Sequence, residues 1–281
     1  MRNPVRAVQQ HMRRQRGEPV FQRDPEWCRQ WHPVVSRWLR YFRPEVRGSQ
    51  DLPEHGPMLL VSNHGGGLYT PEVYVLIDWW LRERGYEEPF HVLAHDILFT
   101  VPWFGEVLRK AGGIPASMGN AERALDDGAA VLVFPGGDHE AFRPWWHRDR
   151  VDFAGRTGFL RLALRRGVPV VPIVCHGNHD TTIVLTRGDR MARWMELHRV
   201  RSRAFPLVLG LPWGVVPGFM PIVPLPARIT VQVLPALDWS GLGPQAADDE
   251  VVVQQCYEEL TAKMQATLDS LVAERPLPWF G

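Results

Sequence analysis

Residues 61–73 read VSNHGGGLYTPEV, and they join the three ingredients of proton-transfer chemistry in one short stretch. An apolar run ends at Asn63 and His64, three glycines follow, and Thr70 and Pro71 open a helix. A neutral imidazole can take a proton from an attacking hydroxyl, an effect worth roughly 10² to 10⁴ in rate. Gly65, Gly66 and Gly67 let a substrate approach the backbone, and their amides are candidate donors to an oxyanion. A working base also needs an acceptor on its second ring nitrogen to fix the tautomer. The first acid after His64 is Glu72, eight residues along. Either it reaches back to the imidazole, or it sits in a first helical turn because the helix dipole favours an anion there. The spacing alone leaves both open.

The elements that must hold these groups alternate. Strands are expected at 58–63, 91–95, 129–134, 168–175 and 228–234, with GIPA (113–116) extended. Helices are expected at 24–43, 71–84, 102–111, 119–127, 155–166 and about 249–273. Thr70 is the expected N-cap of the second helix, with Pro71 at its first position. Strands alternating with helices of about a dozen residues imply an α/β fold with a mostly parallel sheet flanked by helices. Ligands bind such sheets beyond the carboxyl ends of the strands. His64 stands at one such end, and Gly136 and Gly137 at another.

Three further blocks follow His64 in order: GGIPAS (112–117), VLVFPGGDHEAFRP (131–144) and GVPVVPIV (167–174). With Asn63-His64 they resemble the glycerolipid (lysophosphatidic acid-type) acyltransferase superfamily, over roughly residues 55–176. The resemblance implies a glycerol-phosphate acyltransferase-like fold. It also implies direct transfer of a fatty acyl group from acyl-CoA or acyl carrier protein to a lipid hydroxyl, with His64 as general base. Glu72 is then its candidate partner. Asn63, Gly65, Gly66, Gly67, Phe134, Pro135, Gly136, Gly137, Glu140 and Arg143 are candidate substrate-binding residues. No cofactor is implied beyond the acyl donor. Three departures stand out. Tyr69 occupies the place of the family's Asp, Ser117 or Met118 that of its phosphate-binding Arg, and Gly136 that of the acid in the third block. The Phe-Pro-Gly-Gly form is similar to the branch that includes diacylglycerol acyltransferases, which takes neutral acceptors. Arg143 and Arg148 remain possible sources of charge.

Two rival readings have residues behind them. Gly177-Asn178-His179-Asp180 resembles a metallophosphoesterase signature, but a two-metal site needs several more ligands. His91 and His95 lie on one expected strand, too far apart to share an ion unaided. The other rival is a lipid-binding relative without catalysis, motivated by Tyr69. No GxSxG nucleophile turn occurs.

The chain has 281 residues and a net charge of +1, which conceals an asymmetry. Residues 1–50 carry eleven Arg against four acids, and residues 238–281 carry eight acids against two bases. A basic, Trp-rich arm (1–50), with residues 1–23 poorly patterned, is set apart from a single acyltransferase domain (51–281). Trp27, Trp31, Val35, Trp38 and Phe42 recur at helical steps. They suit either a helix packed on the core or one lying on a membrane, with Arg29, Arg37, Arg40 and Arg43 at phosphates. Residues 204–227 carry no charge, but their six prolines argue against a transmembrane helix. An apolar loop over a greasy channel or at the membrane interface is expected instead. No secretory signal is expected, and Cys28, Cys175 and Cys256 suggest neither a disulfide framework nor a zinc cluster. The expected partners are a lipid acceptor, an acyl thioester and the cytoplasmic face of a membrane, held peripherally. No nucleic acid is expected, and the oligomeric state is undetermined.

Overall fold

The structure is a computed structural model that describes residues 21–197, 204–275 and 279. The poorly patterned part of the basic arm, residues 1–20, lies outside them. In chain order the main elements are α1 (Pro25–Leu39), β1 (Glu45–Arg47), β2 (Met58–Ser62), α2 (Pro71–Glu83), β3 (Phe90–Ala94) and α3 (Pro102–Lys110). There follow β4 (Gly113–Pro115), α4 (Met118–Asp126), β5 (Ala130–Val133), α5 (Asp138–Ala141), α6 (Gly158–Arg166) and β6 (Val170–His176). The chain closes with β7 (Ile183–Thr186), α7 (Asp189–Trp194), β8 (Leu207–Gly210), β9 (Gly214–Pro217), β10 (Thr230–Val233) and α8 (Glu250–Glu274).

Seven strands form the central sheet in the order β1-β10-β6-β2-β5-β3-β4. Every pair is parallel except β10–β6. Residues of β2 are buried throughout, as a strand covered on both faces requires. Leu59 and Val61 point to one layer, with Val131, Leu160, Leu260 and Met264. Met58 and Leu60 point to the other, with Val75, Trp79, Trp80 and Phe90. Helices α6 and α8 thus cover one face and α2 the other. Trp80 stacks on Phe90 at 4.8 Å between ring centres.

Several expectations need adjustment. Of the segment 1–50, α1 packs on the body through buried Cys28 and Leu39, and Phe42 enters the core. β1 then pairs with β10 as an edge strand of the main sheet. Helix α6 starts three residues later than the pattern implied, because Ala154 (φ 55°) and Gly155 (φ 66°) form a left-handed turn. Thr70 does not cap α2 with its side chain; its backbone is left-handed (φ 37°) and makes no side-chain capping bond. Residues 204–227 are not merely loop. They supply β8 and β9, which join β7 in a second, antiparallel sheet. Alternating Val and Leu sustain these strands between the prolines.

Candidate active site

β2 lies between β6 and β5, so the carboxyl ends of the three meet. His64 follows β2, Phe134–Gly137 follows β5, and Gly177–Thr182 follows β6. Asn63 locks the first of these ends in place. Its Nδ2 donates to the Cys175 carbonyl at 2.8 Å, and its Oδ1 accepts from the Cys175 N–H at 2.7 Å. The side chain thereby extends the ladder one step past β2, and both its polar atoms face β6. It positions the loop, with both of its polar atoms bonded to β6.

The glycines then turn the chain. Gly66 (φ 75°) and Gly67 (φ 65°) are left-handed, as is Thr70. Three such residues in five fold the loop so that Glu72, in the first turn of α2, returns to the imidazole. Glu72 Oε1 lies 2.7 Å from His64 Nδ1 and accepts the Gly65 N–H at 2.8 Å. The carboxylate is fully buried, whereas the imidazole keeps partial exposure. With Nδ1–H donating to Glu72, the lone pair of neutral His64 resides on Nε2. The ring rests on Phe134 at 4.5 Å. Of the two openings the spacing left, the structure therefore takes the one in which Glu72 reaches His64.

Glu140 supports the loop from beneath. It is fully buried and accepts the His64 N–H at 3.2 Å and the Asp152 N–H at 3.1 Å. Burial pushes its carboxyl up to about 7, against the opposing pull of Arg143 and these amides. Gly136 exists for this carboxylate: a Cβ there would lie 2.2 Å from Glu140 Cγ. Arg143 is also buried, bonded to the Arg150 carbonyl, the Asp152 carbonyl and Glu140. Neither Glu140 nor Arg143 presents its charge to a groove; both brace the turn under His64. The oxyanion expectation also narrows. The Gly65 N–H is taken by Glu72 and the Gly67 N–H by the Ala141 carbonyl. Gly66 is then the glycine of the three whose N–H has no partner among the described residues.

Some participants were invisible in the sequence. Arg156 clamps the turn after β5, donating to the Pro135 carbonyl at 2.9 Å and the Gly136 carbonyl at 2.8 Å. No spacing rule connects an arginine twenty residues downstream to that turn. Tyr69, in the place of the family's Asp, points elsewhere: its Oη accepts the Ile222 N–H at 2.7 Å. Ser117 caps α4 through the Asn120 N–H at 3.2 Å, and Met118 is exposed, so neither supplies a phosphate contact.

The Gly177–Asp180 motif is part of the packing. Ideal Cβ atoms at Gly65 would fall 2.7 Å from His179 Cδ2 and 2.8 Å from Asn178 Nδ2, so this block sets the back wall of the glycine loop. Burial, with nearby Arg143, lowers His179 to about 3, and burial with Arg275 does the same to His176. Asp180 is paired with Arg275 at 3.0 Å and Arg148 at 3.2 Å. Among the described residues no three His, Cys, Asp or Glu side chains gather as a metal-binding group. Of the phosphoesterase motif, Asp180 is thus held in ion pairs, and His179 and Asn178 are buried, with His179 Nδ1 and Asn178 Nδ2 lacking a hydrogen-bond partner among the described residues. His91 faces the Gly112 carbonyl and His95 the Ile97 N–H, separately.

Comparison with known proteins agrees with this architecture. The family model described as "Acyltransferase" matches residues 43–176. An uncharacterized protein of Mycobacterium tuberculosis is 31% identical over 88% of this chain and 68% of its own. Phytyl ester synthase 1 of Arabidopsis thaliana is 25% identical over 82% of this chain and 34% of its own. Human 2-acylglycerol O-acyltransferase 3 is 26% identical over 74% of this chain and 67% of its own. The crystal structure of the 1-acyl-sn-glycerophosphate acyltransferase PlsC of Thermotoga maritima shares the fold, at a TM-score of 0.52 and 16% identity. That match covers 97% of this chain and 84% of PlsC. The chain belongs to the acyltransferase family, in the glycerolipid acyltransferase superfamily.

Proposed function

We propose that this acyltransferase moves a fatty acyl group from an acyl thioester, acyl-CoA or acyl carrier protein, to the hydroxyl of a lipid alcohol. The observation that carries the reading is the buried Glu72 carboxylate 2.7 Å from His64 Nδ1, at the end of a central strand. His64 Nε2 takes the acceptor's hydroxyl proton, and the alkoxide oxygen forms a bond to the thioester carbonyl carbon. As the tetrahedral intermediate collapses, the carbon–sulfur bond breaks and the imidazolium returns its proton to the thiolate. Glu72 stabilises the transient imidazolium and holds the ring in position. The Gly66 N–H is the candidate oxyanion donor.

A neutral acceptor fits best. The positions where a phosphate-binding arginine would stand are Ser117 and Met118, and Arg143 is buried against Glu140. Two relatives point the same way: one is a phytyl ester synthase and another a 2-acylglycerol O-acyltransferase. Such substrates reside in a bilayer, so the proposed working location is a membrane surface. No described helix is long and apolar enough to cross one, which suits peripheral attachment. Incubating purified protein with radiolabelled acyl-CoA, and separately with radiolabelled acyl carrier protein thioester, and a panel of acceptors tests the proposal. Monoacylglycerol, diacylglycerol, a long-chain isoprenoid alcohol and lysophosphatidic acid suffice for the panel. Labelled ester is expected from a neutral alcohol and none from His64→Ala. Absence of ester from every acceptor, or equal yield from the variant, would refute it.

A further inference from the structure

Residues 204–227 contain no charged, hydroxyl or amide side chain. In the fold, one face of the sheet they build turns inward, where Val184, Val208 and Ile222 are buried with Tyr69 and Val216 against them. The opposite face is bare. Leu209 is paired with Ile183 on one side and Val215 on the other, so the three side chains share that face. Val215 is 60% exposed, Trp213 at the hairpin tip 59%, its neighbour Leu211 58%, and Phe219 beyond β9 57%. The wet face of an antiparallel sheet is ordinarily polar.

The apolar surface continues onto α1. Leu211 bridges to Val223, and Val223 and Pro224 line an open groove of about 540 Å³ with Val34, Arg37, Trp38 and Tyr41. Tyr41 Oη donates to the Pro224 carbonyl at 2.7 Å, fixing the two parts together. The Phe205 N–H donates to the Arg187 carbonyl at 2.8 Å, which brings the start of α7, a helix with exposed Met191 and Trp194, beside the base of β8.

We propose that this surface docks on a bilayer containing anionic headgroups. It has almost nothing to answer a protein's polar rim, which carries about one hydrogen bond per 100–200 Å². The single polar side-chain atom of the segment, the Trp213 indole nitrogen, already donates to the Pro221 carbonyl at 2.8 Å. Hydrocarbon demands no such partners. Arg37, which lines the groove, complements anionic headgroups, and tryptophan favours the interfacial depth. One bond ties the docking surface to the loop that carries His64, Ile222 N–H to Tyr69 Oη at 2.7 Å, and a second ties it to the neighbouring loop after β6, Leu225 N–H to the Thr181 carbonyl at 2.8 Å. Lipid substrate therefore reaches the imidazole from the membrane side. That delivery step rests on the acyl-transfer reading; the docking does not.

Co-sedimentation with phosphatidylcholine vesicles, with and without phosphatidylglycerol, tests the docking. The full chain is expected to bind, more strongly to the anionic vesicles. The triple variant L211D/W213D/F219D should lower the bound fraction at least tenfold, while His64→Ala binds like wild type. Amide hydrogen exchange on the unaltered protein supplies a second readout, with protection at 207–225 expected when vesicles are added. Docking is overturned by wild-type protein that stays in the supernatant with both vesicles, or by unchanged exchange at 207–225. It is equally overturned if wild type is a dimer that the triple variant splits while vesicle binding is unaltered. Wild type that binds vesicles yet acylates nothing would instead sink the chemistry and leave the docking intact.

Discussion

Glu72 and His64 are eight residues apart in sequence and joined at 2.7 Å in space, with the same carboxylate oxygen holding the Gly65 amide. One buried anion thus fixes both the ring and the backbone that carries it. This couples the tautomer of the imidazole to the shape of the glycine loop.

Glu72→Gln should therefore lower kcat for acyl transfer by at least tenfold with little change in KM, and His64→Ala by about 10² or more. Steady-state kinetics with acyl-CoA and the accepted alcohol measure both. A larger effect on KM than on kcat for Glu72→Gln would place this carboxylate outside the proton-transfer step.

Introducing the family's acid at position 69 should not compensate. Tyr69 Oη is bonded to Ile222 in the apolar segment, so a Tyr69→Asp side chain in the Glu72→Gln background lacks an approach to His64 Nδ1. The double variant is expected to be no more active than Glu72→Gln. Recovery to near wild-type rates would show that the loop can re-form around the other acid.

Glu140 gives a pH signature to stability. Its carboxyl titrates near 4.5 ordinarily and at about 7 in the folded chain. The folded state holds the extra proton, so stability from this group is full below 4.5 and declines as pH rises through 7. The span corresponds to about 3 kcal/mol. In urea unfolding from pH 4 to 8, the stability of wild type relative to Glu140→Gln should fall as pH rises through 7.

The buried histidines act in the opposite direction. His176 and His179 titrate at about 3 in the folded chain against an ordinary 6.5. The unfolded chain protonates first, so their contribution is present above 6.5 and lost as pH falls toward 3. In the same urea series His179→Gln should lessen the loss of stability as pH falls below 6.5.

Gly136→Ala should be costly out of proportion to one methyl group. Its Cβ would overlap Glu140 within 2.2 Å, and the carboxylate cannot move without releasing the His64 amide. A loss of about 1–3 kcal/mol is expected from overpacking, read as a lower urea midpoint. Activity should fall with it even where the protein remains folded.

The alternation of apolar strands and amphipathic helices was legible from spacing, because burial on both sheet faces leaves continuous apolar runs. His64, the glycines and the Phe-Pro-Gly-Gly turn stood out because their types and order carry the chemistry locally. The fate of Glu72, Tyr69 and Glu140 was decided only by tertiary structure. All three are side chains beside one loop, and three left-handed residues determine which of them turns toward the imidazole. Arg156 and Arg143 likewise became readable only once the ends of β2, β5 and β6 came together. The hairpin in residues 204–227 was hidden for a related reason. Prolines mask strand pattern in a sequence, while ladder pairing with β7 overrides that local preference once the sheet has formed.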